Sequence, residues 1–192
     1  MNSVKNVLIV GVGGQGVLLA SEILSSVAIQ AGLDAKKSEV HGMSQRGGVV
    51  SSHIRFGGKV HSPLIRQGAV DVLLAFEEAE ALRWTHFLKD DGVVIVNKYQ
   101  LVPPIVVTQK LHYPENPVAD IQKNVSSVKS IDADGVARDI GNPRLVNTIL
   151  LGVLSTALDI DTGVWKEVIQ ARVPKGTEEM NLTAFEQGRS LG

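Results

Sequence analysis

Two glycine-bearing stretches hold the residues of this chain whose types and spacing best suit ligand chemistry. In the first, Gly11-Val12-Gly13-Gly14-Gln15-Gly16 follows the apolar run Val7 to Val10 without a spacer, and Gly11, Gly13 and Gly16 meet the G-x-G-x-x-G spacing. Glycines let the backbone turn sharply and approach a ligand, while the free N–H groups and dipole of a helix starting there favour an anion, a phosphate above all. A tight strand-to-helix turn that binds nothing satisfies the same spacing, so both readings stand at this point. The second stretch is His41-Gly42-Met43-Ser44-Gln45-Arg46-Gly47-Gly48. Ser44 and Gln45 offer donors, and the Arg46 guanidinium can grip a phosphate or carboxylate through two parallel hydrogen bonds, with Gly47 and Gly48 allowing a sharp bend. Its bland alternative is a polar surface turn. The candidate ligand contacts are therefore Gly11, Gly13, Gly14, Gln15 and Gly16 with Ser44, Gln45, Arg46, Gly47 and Gly48.

Independent catalysis finds little support elsewhere. His41, His53, His61, His86 and His112 show no pair at metal-binding helical spacing, and no metal site is expected. Ser44 and Ser51 lie near histidines but lack a nucleophile elbow, so they read as hydrogen-bond donors. Glu77, Glu78 and Glu80 open a helix, where the dipole accounts for three acids. Cysteine is absent, which excludes a disulfide framework, a cysteine nucleophile, a thiolate zinc site and a Cys-ligated iron–sulfur cluster in this chain. No catalytic residue is assigned.

The elements that must position the two stretches are legible from periodicity. Val7 to Val10 reads as a strand buried on both faces, and Ala20, Ile23, Leu24, Val27, Ala28 and Ala31 repeat at helical spacing before Gly32. Asp34 to Val40 reads as a second strand, with Glu39 at the distance where dinucleotide-binding folds place a ribose-binding acid. The alternation from Val49 to Phe56, followed by Gly57-Gly58, predicts an antiparallel hairpin into Lys59 to His61. Asp71 to Phe76 and Val93 to Asn97 read as buried parallel strands, with a helix over Glu77 to Trp84 between them. Pro103-Pro104 breaks the chain before a β-rich Ile105 to Thr108, and Tyr113 to Asn124 lacks periodicity and reads as a loop or partner contact. Ser127 to Asp132 predicts a strand and Ala133 to Ile140 a short helix. Asn142 and Pro143 open a core helix with an apolar stripe from Leu145 to Leu158, in which Gly152 implies close packing against another backbone. A helix over Thr162 to Arg172 and an amphipathic piece after Pro174 complete the chain. Trp84 and Trp165 read as core or interface anchors.

Strands alternating with helices imply an α/β fold: one open, mostly parallel, Rossmann-like sheet with helices on both faces and an antiparallel hairpin insertion, in a single domain over residues 1–192. Of the 192 residues, 44% are hydrophobic, enough for a sizeable core. A net charge of −1 gives no reason to expect a nucleic-acid partner, and the N-terminal apolar run is too short for a membrane span. A cytoplasmic location is expected.

The two stretches together point further. GVGGQGVLLASEIL followed by KKSEVHGMSQRGGVVSSHIRFG resembles the gamma-type domain of the 2-oxoacid:ferredoxin oxidoreductases, in the branch whose small (beta) subunit serves indolepyruvate oxidation. DVLLAFE, EALR and GNPRLVNTILLG extend the resemblance over most of the chain. It implies a complex that decarboxylates an aryl pyruvate on thiamine diphosphate, passes electrons through iron–sulfur clusters to ferredoxin and releases an aryl-acetyl-CoA. This chain would be a helper subunit: it has no cysteines for clusters, and Asp90-Asp91-Gly92 runs into a strand rather than the rest of a thiamine diphosphate motif, so both cofactors are expected on a large alpha partner. What the two stretches would contribute is a grip on CoA or another anion. Related complexes acting on pyruvate, 2-oxoglutarate or branched-chain 2-oxoacids remain open, as do a stand-alone NAD-binding oxidoreductase using Gly11, Gly13, Gly16 and Glu39 and a non-catalytic nucleotide-sensing module.

Overall fold

The computed structural model describes residues 3–41, 48–102, 106 and 112–192. One six-stranded sheet runs through it, in the order β2-β3-β1-β4-β5-β6. β1 (Lys5–Val12) is paired with β4 (Val70–Ala75), which pairs with β5 (Leu88–Asn97), which pairs with β6 (Ser127–Ile131), all parallel. On the other side of β1 lies β3 (Val49–Gly57), antiparallel both to it and to the edge strand β2 (Asp34–His41).

Val7, Leu8, Ile9 and Val10 are all fully buried because each face of β1 meets a separate core. Val7 and Ile9 join the larger cluster with α1 (Val17–Gln30), α4 (Ala133–Ile140), α5 (Val146–Thr156), α6 (Thr162–Arg172) and α7 (Glu178–Ser190). Leu8 and Val10 join the smaller one with α2 (Glu78–Trp84) and α3 (Pro117–Gln122). The helix after β1 thus goes to one face and the helix after β4 to the other, so the loops following these adjacent strands diverge. A crevice forms at such a point in open α/β sheets.

Close packing of α5 on α7 explains Gly152. A Cβ there would lie 2.2 Å from the Phe185 carbonyl oxygen, and one on Gly188 would lie 2.0 Å from that of Ile149, so each glycine clears the other helix's backbone. Trp165 is fully buried against Phe185, their rings stacked at 5.9 Å, as a core anchor. Trp84 packs against His86 and Phe87.

Three expectations need correction. β3 does form an antiparallel hairpin, but with β2 before it rather than with Lys59 to His61 after it. Gly57 is there for close approach: a Cβ would sit 2.9 Å from the Ser3 carbonyl oxygen, and Val60 donates its N–H to the Asp34 carboxylate (2.7 Å) instead of to a strand. Within Tyr113 to Asn124 the helix α3 forms, opened by Pro117 and capped by Asn116 Oδ1, which accepts from Ala119 N–H (3.2 Å); six residues are too few to show a period. Of Ile105 to Thr108 only Val106 is described, and its backbone is helical rather than extended.

Candidate functional site

The loop after β1 builds itself largely from its own side chains. Gln15 Oε1 accepts from Val12 N–H (2.7 Å) and its Nε2 donates to the Phe76 carbonyl (3.2 Å), so this carboxamide bridges the ends of β1 and β4. Gln15 N–H closes a turn on the Val12 carbonyl (3.1 Å). Gln15 therefore holds the loop in shape, and its polar atoms are committed before any ligand arrives. Gly11 makes room for it, since a Cβ at Gly11 would meet Gln15 Oε1 at 2.7 Å. Gly16 is needed twice over, having φ +87° and a Cα position where a Cβ would strike the Asn147 carboxamide of α5 at 2.1 Å.

Gly14 differs from the other glycines of the loop. It has φ +101°, and a Cβ built on it would meet no atom within 4 Å. Among the described residues neither the Gly14 nor the Gly16 N–H finds a backbone acceptor, and α1 starts at Val17 behind Gly16 as N-cap, with no capping side chain and no acid in its first turn. Donors and a positive dipole end face open space there, which suits an anion.

Of the second stretch, Ser44, Gln45, Arg46 and Gly47 lie outside the described residues. Gly48 is described, and its carbonyl accepts from Gly13 N–H at 2.8 Å, clipping the two glycine stretches together. Gly48 sits at the same end of the sheet as the first stretch, because it precedes Val49, which pairs with Val12 at the end of β1.

A cleft of about 580 Å³ opens from Gly14, Gln15 and Gly16 toward the ends of β4 and β5 and the start of α5. Phe76, Tyr99, Leu19 and Val146 give it apolar walls. Asn97 is buried in its floor, with Nδ2 donating to Asp134 Oδ2 (2.8 Å) and Oδ1 accepting from Ala133 N–H (3.1 Å). Arg144 lines it as an exposed cation, in a turn where Asn142 Oδ1 accepts the Arg144 N–H (3.0 Å). Asn147 Oδ1 is buried without a hydrogen-bond partner among the described residues. A buried acceptor left without a donor costs free energy, about 1–3 kcal/mol, and a ligand N–H in the cleft would recover it. Arg144, Asn147 and Asn97 line the cleft without belonging to either glycine stretch, and no motif in the sequence singles them out. The available signal was Asn147, an amide in the first turn of an otherwise apolar helix.

The carboxylates beside this site have structural duties. Glu77 is buried as the cap of α2: Oε2 accepts from Glu80 N–H (2.8 Å), and Oε1 accepts from Leu101 N–H (3.2 Å) and the Tyr113 hydroxyl. Burial, reinforced by Glu77, pushes the Tyr113 hydroxyl up. Burial also raises Glu80, against the pull of Arg83 and of a hydrogen bond from Trp84. The helix dipole thus accounts for only part of this acidic group. Glu39 stands on β2, separated from β1 by β3, where it accepts from Ser21 Oγ (3.0 Å) and Lys37 Nζ (2.8 Å). It is not next to the first glycine loop's strand, as the acid of a dinucleotide site is.

The residues present do not fit the redox cofactors. With no cysteine in the chain, no thiolate-held cluster can form on it. Asp90-Asp91-Gly92 lies inside β5, and Asp91 pairs with Lys89 (3.2 Å) rather than forming part of a diphosphate-holding loop. Among the described residues no group of three or more His, Asp or Glu side chains could hold a metal ion, and no helix is long and apolar enough to cross a membrane.

Comparison with known proteins agrees with this architecture. The family described as pyruvate ferredoxin/flavodoxin oxidoreductase matches residues 6–191. Indolepyruvate oxidoreductase subunit IorB of Thermococcus kodakarensis is 38% identical over 191 residues, 95% of this chain and 93% of its own length. The protein of the same name from Archaeoglobus fulgidus is 36% identical, covering 95% and 92%. A solved gamma subunit of a keto/oxoacid ferredoxin oxidoreductase from Geobacter sulfurreducens superposes with a TM-score of 0.71 at 25% identity, covering 97% of both chains. The chain belongs to the pyruvate ferredoxin/flavodoxin oxidoreductase family.

Proposed function

We propose that this chain is the small subunit of an indolepyruvate (aryl pyruvate):ferredoxin oxidoreductase, which converts the 2-oxoacid and CoA to an acyl-CoA and CO2 while two electrons pass to ferredoxin. A large alpha subunit carries the thiamine diphosphate that supports decarboxylation and the clusters that carry the electrons. The present chain binds and orients the anionic end of CoA. The observation that carries this role is the hydrogen bond from Gly13 N–H to the Gly48 carbonyl, which joins both glycine stretches beside the uncapped start of α1. Gly14 and Gly16 supply N–H donors, Gln15 fixes their direction, and Arg144 and Arg46 supply positive charge. Asn147 Oδ1 offers an acceptor for an N–H of the same ligand. Relatives named for indolepyruvate support the aryl substrate.

The test uses the assembled complex. Arg46→Ala and Arg46→Lys should each raise the CoA concentration needed for half-maximal turnover, the alanine variant by about ten- to a hundredfold, because a single ammonium does not reproduce a guanidinium fork. Subunit association should stay unchanged. Loosened assembly with normal CoA dependence would assign Arg46 to the interface instead, and preference for pyruvate, 2-oxoglutarate or a branched-chain 2-oxoacid would redirect the substrate.

A further inference from the structure

At the end of the sheet opposite the glycine stretches, the segment from Gly58 to Ala69 leads from β3 to β4 without forming a regular element. Asn6 pairs with Arg55 in the register that brings Val12 opposite Val49, so six residues of strand, about 20 Å, separate the two ends. The segment is nonetheless held firmly. Ile65 N–H donates to His53 Nδ1 (3.2 Å), and Asn6 Nδ2 donates to the Ala69 carbonyl (2.9 Å). Arg55 donates through Nη1 to the carbonyls of Ser62 (2.9 Å) and Leu64 (3.4 Å), and through Nε to Asn6 Oδ1 (2.8 Å). Beneath it lies a cavity of about 390 Å³, with Asn6, Arg55 and Arg66 as its polar wall and Leu64, Ile65 and Ala69 as its apolar one.

Its charge is uncompensated. All 20 acidic side chains of the sequence lie among the described residues, and none comes within 4.0 Å of a guanidinium nitrogen of Arg55 or Arg66. The nearby acids are taken: Asp34 by Lys36 (3.0 Å), and Asp71 by Lys89 (2.8 Å) and Lys5 (3.9 Å). Arg55 spends its hydrogen bonds on neutral oxygens, and its Nη2 is uncommitted among the described residues, as is the whole Arg66 guanidinium. A half-buried cation with only neutral partners, beside a cavity with a second cation and apolar walls, attracts an anion more strongly than an exposed arginine does.

We propose that this cavity is a second anion site, taking a compact, multiply charged oxyanion whose oxygens match the Arg55 and Arg66 forks. A phosphate ester and a polycarboxylate share that chemistry. The site is separate from the one that serves CoA, so its test does not depend on the CoA reading.

Inorganic pyrophosphate and citrate serve as probes, titrated calorimetrically into the full chain carrying Gly14→Val and Arg46→Gln to silence the glycine stretches. Sodium chloride at matched ionic strength is the control. One saturable site should remain. Arg66→Gln should weaken it roughly tenfold or more, Arg66→Lys less, with the unprobed melting temperature unchanged, because the Arg66 side chain makes no hydrogen bond or ion pair among the described residues and its backbone bond to Ala69 N–H (3.2 Å) is kept. Stronger binding of pyrophosphate identifies a phosphate ligand, and stronger binding of citrate a polycarboxylate. No saturable binding beyond chloride, or binding indifferent to Arg66→Gln, would overturn the proposal. So would binding that appears only in the presence of a partner subunit.

Discussion

The Gln15 carboxamide lies over the Cα of Gly11, so close that a Cβ on Gly11 would come within 2.7 Å of Gln15 Oε1. The first glycine of the motif is thereby a space for the glutamine, and the glutamine a brace between β1 and β4. Gly11→Ala should cost about 1–3 kcal/mol of stability by overpacking. Gln15→Ala should cost a similar amount by leaving Val12 N–H unpaired. The double variant should be better than the sum by about 0.5–1 kcal/mol, since removing the carboxamide relieves the closest of three contacts while Val17 Cγ2 (2.9 Å) and Phe76 Cβ (3.0 Å) still crowd the new methyl group. Denaturant titration of the four proteins checks this, and simple additivity would mean that the contact is incidental.

Gly14 should behave differently. Its positive φ makes Gly14→Val cost about 1–2 kcal/mol, but no neighbour stands in the way, so the fold should survive. In the assembled complex CoA-dependent turnover should weaken while near-ultraviolet circular dichroism stays native. Normal CoA dependence would reduce the loop to a turn.

What the sequence made legible was local. Val7 to Val10, the Thr162–Arg172 helix and the tight seat of Gly152 follow from hydrophobic period, caps and residue size, which act within a few neighbours. Strand pairing is not local: nothing in Gly57-Gly58 reveals that the backbone of Ser3 and Val4 presses against Gly57, or that β3 pairs with β2 before it rather than with Lys59 to His61 after it. The candidate site divides in the same way. Gly14 and Gly16 could be read from a motif, whereas Arg144 and Asn147 reach them only because α5 packs across the loop. Glu77 reads as one acid of three at a helix start, yet it alone gathers Leu101 and Tyr113 from across a chain break in periodicity.

The α5–α7 seam offers a stability test independent of ligand. Gly152→Ala or Gly188→Ala places a methyl group against a carbonyl oxygen of the facing helix, where no side chain can move aside. Each should destabilise by about 3 kcal/mol, at the upper end of overpacking costs. Replacing Gly176, whose Cβ would meet nothing, should cost less, and equal midpoints for Gly152→Ala and wild type would contradict the packing.

His53 makes stability depend on pH in a defined direction. Burial lowers its pKa from 6.5, and its Nδ1 accepts the Ile65 N–H, so the folded protein holds the neutral ring. The unfolded chain binds a proton at higher pH than the folded one, and the stabilisation is complete above about pH 6.5 and lost as pH falls through the window below it. His53→Asn, which keeps an acceptor but does not titrate, should flatten the pH dependence of stability between pH 8 and pH 5, so that the wild-type minus variant difference falls as pH falls. An unchanged slope would show that other groups set the acid limit.

The central claim is that this chain contributes to 2-oxoacid oxidation only as part of a larger complex. The most direct measurement is indolepyruvate- and CoA-dependent reduction of ferredoxin by the purified chain alone, by the large subunit (proposed to carry the cofactors) alone, and by the two together. Activity restored only on mixing, with the isolated small chain colourless and inactive, is the expected result. Turnover of indolepyruvate by this chain alone, with any electron acceptor, would contradict it.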